Sequence, residues 1–312
     1  MEATFHRPSN RVRDPLMDAE DDSADEVSGI LGLGLTGYAS RERKRVNDNV
    51  AGTSELAKGS PERFGYSWDR YAHLLPEHEE QFLRWTTLDK SFWKGVRFVD
   101  AGCGIGRNSY WPMTYGALGG LAVDVDDRTL DRARHNLADF PGMEVRKQSI
   151  YEIAEADTFD VAFSIGVIHH LSNPEAAMAR LVRAAKPGGW VLVWVYGREN
   201  NGWVVHLFSP LRRAMFSRMP LPLAHALSWP LAALLWCVLR SGWPLGTYYQ
   251  LIRRFSFGHL RAIIFDHMIP RVALYYTRAE AEALLARANL ADIRSTWVNE
   301  NSWSVIGRKT NG

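Results

Sequence analysis

The residues best suited to chemistry follow a short apolar segment at residues 96–99. There the chain reads Asp100-Ala101-Gly102-Cys103-Gly104-Ile105-Gly106-Arg107, an acidic residue followed by three glycines at alternating positions. Glycines remove every Cβ from a tight strand-to-helix turn, so a ligand can approach the main chain and the free N–H groups of the next helix. The spacing therefore predicts a turn that binds a cofactor through its backbone.

A second apolar segment and another acidic residue extend this pattern. Residues 120–123 precede Asp124, which lies roughly 20 residues beyond the glycines, where a βαβ unit accepts hydrogen bonds from a ribose. We therefore predict that the Asp124 carboxylate accepts hydrogen bonds from the ribose of the cofactor. Residues 32–37 also fit the pattern G-x-G-x-x-G, but they follow an acidic stretch instead of a strand, and no βαβ pattern comes after them. We interpret that match as part of a leader.

Two adjacent histidines, His169 and His170, follow the fourth predicted strand and are candidates for a general base. A neutral imidazole can take a hydroxyl or phenol proton near neutral pH. The competing interpretation is that both rings only pack and cap the turn. Asp266 and His267 form a second candidate pair, against a structural or surface role for both.

The elements that must position these residues alternate between strand and helix. Strands are predicted near 96–99, 120–124, 143–147, 159–164 and 190–196. Helices are predicted at Thr129–Ala138 and at Pro174–Ala184, the second with Asn173 as its N-cap, and Pro187-Gly188-Gly189 is expected to break the chain before the fifth strand. A helix at Arg278–Ala288, capped by Thr277, precedes two strands near 291–298 and 302–308.

In this context the chain resembles a class I S-adenosylmethionine-dependent methyltransferase of the small-molecule and quinone-biosynthesis type. The resemblance covers about residues 62–310. It rests on four motifs in order, which are Val99–Gly106, Val123–Asp126, Phe159–Leu171 and Leu181–Trp190. It implies an α/β fold with a doubly wound, Rossmann-like, mostly parallel sheet, an antiparallel C-terminal strand and a helical insertion.

The resemblance also implies roles for individual residues. The backbone around the glycines would face the methionine part of S-adenosylmethionine, Asp100 would brace the loop or bind the amino group, and Asp124 would hold the ribose. Ser149 stands where the family usually has an acidic residue for the adenine amine. The full set implied for the cofactor is Asp100, Gly102, Cys103, Gly104, Gly106, Asp124, Val125, Ser149, Ile150 and Ile165, with His169 and His170 as catalytic candidates. A nicotinamide cofactor is the physical alternative, but the first turn and Lys186-Pro187-Gly188-Gly189 favour a methyltransferase.

Composition is compatible with a single large core and an appendage. The chain has 312 residues, of which 46% are hydrophobic, and a net charge of +2. Its two cysteines, Cys103 and Cys237, indicate no disulfide framework and no thiolate metal site, and predict a reducing cytoplasm. Residues 1–60 are predicted to be a disordered leader, because they begin too polar for a signal peptide.

The least ordinary region is a basic insertion at residues 203–276. From 203 to 278 the chain has nine arginines against one acid, Asp266, and residues 219–239 carry no charge. The first interpretation of this insertion is a soluble helical lid or a dimer contact. The second is membrane docking at the inner membrane face, because arginines and tryptophans beside an apolar stretch are typical of an anionic membrane surface. A true membrane span is the third, since prolines interrupt the apolar stretch. Nucleic acid is disfavoured, because the arginines are interleaved with apolar runs.

Three aromatic or polar segments are candidates for the acceptor pocket. They are Phe64–Tyr71, Tyr275-Tyr276 and Asn299–Trp303. With residues 61–202 as the cofactor-binding core and 277–312 completing it, the sequence predicts a methyltransferase acting on a small-molecule or lipid-linked acceptor. The alternatives are a cofactor-binding scaffold protein without catalysis and a nucleic-acid methyltransferase.

Overall fold

The computed structural model describes residues 54–70, 74–242 and 246–311. The glycine match at 32–37 therefore lies outside the described residues. Helix α1, Ser54–Arg70, begins within the segment predicted to be a disordered leader, so that prediction is wrong for residues 54–60. Residues 55–58, Glu-Leu-Ala-Lys, are good helix formers that the prediction overlooked.

The core is one seven-stranded sheet with helices on its faces. Its strands are β1 Arg97–Ala101, β2 Gly119–Asp124, β3 Met143–Lys147, β4 Phe159–Ile165, β5 Ala185–Tyr196, β6 Leu290–Val298 and β7 Ser302–Lys309. The order across the sheet is β3-β2-β1-β4-β5-β7-β6, in which β1 to β5 run parallel and β7 is antiparallel to both of its neighbours. The predicted doubly wound sheet with an antiparallel C-terminal end is confirmed.

Four further helices precede or connect the first five strands, and two of them begin at a side-chain cap. They are α2 Pro76–Thr86, α3 Arg107–Thr114, α4 Asp127–Asn136 and α5 Pro174–Ala184. The Asn173 side chain accepts the N–H of Ala176 at 3.0 Å, as predicted for the start of α5. Helix α4 begins two residues before the prediction, because the Asp126 carboxylate accepts the N–H groups of Arg128 and Thr129.

The expected break before the fifth strand is wrong in its position. Strand β5 starts at Ala185, and its pairing with β4 shifts between Phe159 opposite Ala185 and Val161 opposite Trp190. Residues 186–189 therefore form a bulge inside the strand, at which Gly188 has a φ of +73°. Proline and glycine interrupt the ladder here without ending the strand.

The insertion is mostly helical in its described part, up to Met268. After a π-helical turn at Val204–Phe208 come α6 Ser209–Ala214, α7 Leu221–Arg240, α8 Thr247–Ile252 and α9 Phe257–Met268. Helix α10, Arg278–Ala286, then returns to the core with a capping box in which Thr277 accepts the N–H of Glu280. It ends two residues earlier than predicted.

Two large apolar clusters hold the core on the two faces of the sheet. One packs α5 and α10 against the central strands, and the other packs α2 against β1 and β4 through stacked aromatic rings. The carboxyl ends of β1, β2 and β4 are left uncovered by these helices. The site begins at that edge, where ligands of open α/β sheets bind.

Candidate active site

A cavity of about 930 Å³ lies at the carboxyl edge of the sheet. Its floor is the glycine turn after β1 together with the ends of β2 and β4. Its walls come from α1, from α2 and from the insertion, where α9 contributes Ile263 and Asp266. One continuous space therefore joins the predicted cofactor turn to the insertion.

The glycine turn is anchored to β2 through its own amides. The N–H groups of Gly102 and Cys103 both donate to the Val123 carbonyl, at 2.8 and 2.9 Å. Gly104 has a φ of +54°, and a Cβ built on it would meet no atom within 4 Å, because it would project into the cavity. This open position is the place where a ligand can lie directly against the main chain.

Gly102 and Gly106 are required for a different reason. A Cβ on Gly102 would lie 2.4 Å from the Val167 side chain, and one on Gly106 would lie 2.9 Å from Leu137. Gly102 lines the cavity, whereas Gly106 caps α3 away from it. The role of Gly106 is therefore the turn itself and not ligand contact.

Asp124 lines the cavity and already organises the turn below it. Its Oδ2 accepts the Gly104 N–H at 2.9 Å, and its Oδ1 accepts the N–H groups of Val125 and Asp126 at 2.7 and 3.2 Å. Burial raises the pKa of this carboxyl, while the three amides lower it. A carboxylate offers about four acceptor positions, so Asp124 retains room for a ribose hydroxyl.

Asp100 lies beneath the cavity without lining it. Its side chain is fully buried, with Oδ2 accepting the Ser109 hydroxyl at 2.7 Å and Oδ1 without a hydrogen-bond partner. Burial raises the pKa of Asp100 to about 7. The structure thus places Asp100 as a brace between β1 and α3, with one oxygen left for a cation above it.

The residues predicted to cover the adenine also line the cavity. The Ser149 hydroxyl caps a short 3₁₀ turn by accepting the Tyr151 N–H at 3.3 Å, which leaves its own proton to donate. Ile150 and Val125 present apolar surface there, and Ile165 lies at the end of β4. Cys103 also faces the cavity, but burial raises the pKa of its thiol, so it is not a nucleophile.

The structure separates the two candidate histidines. His169 is fully buried, does not line the cavity, and packs against Tyr196 with ring centroids 3.8 Å apart and the ring planes tilted by 34°. Neither ring nitrogen has a partner, and burial lowers the pKa of His169 well below its usual value. As a catalytic base His169 is therefore wrongly placed, since its ring does not reach the cavity.

His170 is the histidine that faces the cavity. Its Nδ1 lies 2.8 Å from the Val272 carbonyl, so Nδ1 carries the proton and Nε2 is free to accept one. Burial, ahead of the nearby Arg212, lowers the pKa of His170 to about 3, although the Val272 contact opposes the shift. The ring stays neutral at physiological pH.

The second candidate pair also lines the cavity. Asp266 Oδ1 accepts the Ser67 hydroxyl at 2.5 Å, which links α9 to α1 across the cavity wall. Burial raises the pKa of Asp266 to about 6, with Ser67 and Arg107 opposing the shift. His267 Nδ1 is bound to the Ile263 carbonyl of its own helix at 2.8 Å.

Of the three segments proposed for the acceptor pocket, only parts reach it. Phe64, Ser67 and Trp68 line the cavity, as does Tyr275, but Tyr276 is buried in the core. Asn299 and Asn301 line it, whereas Trp303 packs below. Asn299 and Asn301 belong to the turn between β6 and β7, whereas Trp303 belongs to strand β7.

Sequence reasoning missed Arg107, the first residue of α3. Its guanidinium carbon lies 5.0 Å from the ring centroid of Trp68 and 5.1 Å from that of Trp85, in the wall of the cavity. Burial lowers its pKa to about 10, so it remains a cation at neutral pH. Its position directly after the glycine turn was the available signal.

The donor set fits S-adenosylmethionine. The cofactor is a cation with an amino acid, a ribose and a purine, and the floor of the cavity offers Gly104 without a Cβ, the Asp124 carboxylate and the apolar pair Val125 and Ile150. Buried acceptor atoms without partners lie in or beneath the same wall. They are Asp100 Oδ1, Gln81 Oε1 and Asn108 Oδ1.

Comparison with known proteins agrees with this geometry. Residues 99–193 match the family model described as a methyltransferase domain. A ubiquinone biosynthesis O-methyltransferase of Hahella chejuensis is 33% identical over 125 residues, which cover 39% of this chain and 52% of that protein. A protein of Talaromyces variabilis named S-adenosyl-L-methionine-dependent Diels-Alderase is 30% identical over 159 residues, covering 47% of this chain and 53% of its own length.

The chain thus spans about half the length of the curated relatives it matches. Among solved structures, an O-methyltransferase family protein from Burkholderia thailandensis superposes with a TM-score of 0.50 at 14% identity, covering 80% of this chain and 59% of that one. That likeness concerns the fold alone. The matched residues, which include the glycine turn and Asp124, show that this part of the chain is a methyltransferase domain.

Proposed function

We propose that the protein transfers a methyl group from S-adenosylmethionine to an oxygen of a small-molecule or lipid-linked acceptor by in-line displacement. The observation that carries the proposal is the single cavity, which joins the cofactor turn at Gly104 to an aromatic chamber under the insertion. The name of the Hahella relative, an O-methyltransferase, supports oxygen as the methylated atom.

The cofactor supplies a methyl group on a cationic sulfur, which is reactive enough to need little further activation. The protein must hold the nucleophile in line with that carbon and exclude water. The chamber is lined by aromatic side chains from distant parts of the chain, among them Trp68, Trp194 and Tyr248. Flat apolar surface of this kind suits an aromatic or otherwise planar acceptor.

His170 is the side chain placed to receive the proton of the acceptor. Its Nε2 is the free acceptor atom, because Nδ1 is committed to Val272. With a pKa of about 3, the ring accepts a proton only while the hydroxyl becomes acidic in the transition state. A phenolic hydroxyl meets this requirement better than an aliphatic one, because its own pKa is lower.

Transfer of a deuterated methyl group from labelled cofactor into a metabolite and lipid extract tests the proposal. We expect mass spectrometry to find a labelled product and free S-adenosylhomocysteine in equal amounts. The matched control is Asp124→Ala, which should weaken cofactor binding by about 1.5–3 kcal/mol, because a carboxylate accepting from a ribose hydroxyl makes a charge-assisted bond. Calorimetry measures that change directly.

Cofactor binding without any labelled product would favour the second candidate function. In that case the protein would use S-adenosylmethionine without transferring its methyl group, as the name of the Talaromyces relative suggests for that protein. The strongly lowered pKa of His170 favours this second function. It makes His170 a weak base, and a reaction that does not methylate a hydroxyl needs no base to accept the hydroxyl proton. Absence of cofactor binding as well would contradict both functions.

A further inference from the structure

Helix α7 presents an apolar face to the outside of the protein. The residues of α7 that are buried lie on one side at helical spacing, and they are Ala224, Ser228, Ala232 and Leu239. The other side carries Leu223, Trp229 and Leu234, whose exposed fractions are 50%, 55% and 63%. No charged residue occurs between 219 and 239, so nothing on this face is built to contact water.

Exposed apolar side chains are concentrated in this part of the molecule. Of the eleven large hydrophobic side chains that are exposed among the described residues, nine lie between residues 203 and 238. Soluble proteins scatter such residues singly, whereas a cluster marks a surface that binds something apolar. The rest of the described surface provides Leu118 and Val125, and Val125 lines the cofactor cavity.

Exposed arginines stand at the two ends of this face. Arg218 precedes α7 and Arg240 is its last residue, with the Arg240 guanidinium carbon 3.1 Å from the ring centroid of Trp236. The sequence from 203 to 265 contains no aspartate or glutamate at all. The surface around the apolar face is therefore positively charged and complementary to a layer of anionic headgroups.

Contacts to α9 decide how α7 can meet a bilayer. The Arg261 guanidinium of α9 donates to the His225 carbonyl at 2.8 Å and to the Ser228 hydroxyl at 3.1 Å. These bonds, with the packing of Ala224 against Phe265, hold one side of α7 on the protein along its length. At roughly 30 Å α7 is long enough to span a bilayer, but spanning would strip it from α9 and leave Arg261 without these partners.

We propose that the exposed face of α7, flanked by Arg218 and Arg240, docks in the plane of an anionic bilayer surface. The apolar side chains enter the boundary between headgroups and acyl chains, and the arginines bind lipid phosphates. In this geometry one side of α7 stays packed on α9 while the other side contacts lipid. It also explains why the exposed side of α7 carries apolar residues without charges.

Docking would bring the cavity close to the membrane. Helix α9 packs on α7 on one side and lines the cavity on the other through Ala262, Ile263 and Asp266. Only one layer of helix then separates bilayer and cavity. A lipid-linked acceptor could reach the site without leaving the membrane, a step that rests on the proposed function, whereas docking itself does not.

Cosedimentation of the full chain with vesicles tests the proposal without any measurement of methyl transfer. We expect the protein to pellet with vesicles of phosphatidylcholine and phosphatidylglycerol, to bind vesicles of phosphatidylcholine alone at least tenfold less, and to be released by raised salt. Replacing both exposed leucines, in Leu223→Glu/Leu234→Glu, should reduce binding at least tenfold. Arg218→Gln/Arg240→Gln should reduce binding to the anionic vesicles only.

The matched control is Leu118→Glu, which changes a side chain that is 64% exposed outside the insertion. It should bind vesicles like the unmodified protein. Thermal melting and calorimetry with S-adenosylmethionine show that each variant is folded, since all five positions lie outside the cavity lining.

Three results would overturn the proposal. The first is a protein that stays in the supernatant with anionic vesicles at low salt, and the second is one that resists extraction by alkaline carbonate, which indicates a span. The third is a dimer that Leu234→Glu converts to a monomer without any vesicle binding, because α7 would then be a contact between two copies. Loss of methyl transfer with intact vesicle binding would instead count against the proposed function alone.

Discussion

At the scale of single residues, the site depends on which buried groups keep their charge. His169 and His170 are adjacent in sequence, yet one ring is enclosed beneath Tyr196 and the other faces the cavity with Nδ1 bound to Val272. Arg107 remains a cation between two tryptophan rings. Identity alone does not fix the role of a titratable residue, because burial and partners set its pKa.

The two histidines should therefore respond oppositely to substitution. His170→Ala should lower turnover about a hundredfold while cofactor affinity changes less than about twofold, because only the proton acceptor is lost. His169→Phe keeps the packed ring and removes two nitrogens that have no partner, so turnover should be unchanged and stability equal or higher. Steady-state kinetics and thermal melting measure both. Equal losses of turnover in the two variants would contradict this assignment.

At the scale of elements, the turn after β1 and the strand β2 use glycine for two separate purposes. Gly104 leaves an open place in the cavity, whereas Gly120 in β2 allows two strands to pack, since a Cβ there would lie 2.6 Å from the Phe98 carbonyl oxygen. Gly104 thus leaves space for a ligand, and Gly120 allows β1 and β2 to pair closely.

Substitution by alanine should separate these purposes. Gly104→Ala should fold with a penalty of about 1 kcal/mol for its positive φ and bind S-adenosylmethionine at least tenfold more weakly, because the new methyl group occupies the ligand's place. Gly120→Ala should be strongly destabilised or fail to fold. Circular dichroism melts and calorimetry give the two readouts. If folded Gly104→Ala binds S-adenosylmethionine with normal affinity, the glycine turn is not part of the cofactor-binding site.

At the scale of the whole molecule, five histidines with a lowered pKa lie in the wall of the cavity or next to it. Burial is the first cause of a lowered pKa in each of them, to about 2 for His78, about 3 for His170 and about 4 for His259, with His169 and His267 lowered as well. The carboxyls of Asp100 and Asp266 are shifted upward, to about 7 and about 6. The two groups have opposite effects on stability as pH changes.

Acid should destabilise the protein well before its carboxylates are neutralised. Below a pH of about 6.5 these histidines bind protons in the unfolded state but stay neutral in the folded state. The free energy of unfolding therefore decreases as pH falls toward 5. The raised pKa values of Asp100, Asp124 and Asp266 act in the other direction. They favour the folded state at low pH and lose that contribution as pH rises above about 4, but the five histidines outnumber these three carboxyls. Melting temperatures from pH 7.5 to 5 check the slope, and His169→Phe should make it shallower. A melting temperature that rises on acidification would contradict this balance.

The sequence by itself determined the approximate positions of the strands along the chain, the cofactor turn and the caps of several helices, whereas the order of the strands across the sheet followed only from the family resemblance. These features depend on neighbours a few residues apart, such as the glycines at 102, 104 and 106 or Asn173 before Pro174, and local spacing is visible in a sequence. It predicted less well where local signals conflict with long-range pairing, as at Pro187 inside β5, where the ladder continues past a residue that usually interrupts it.

Only the tertiary structure decided which of the predicted residues face the cavity. His170 is oriented by Val272, Asp266 by Ser67, and α7 by Arg261, and in each pair the partners are far apart in the chain. A sequence lists the residue types available for such contacts but not which of them meet. The physical reason is that burial and partner choice arise from packing of the whole chain, and they in turn set each charge, each tautomer and the exposed face of the insertion.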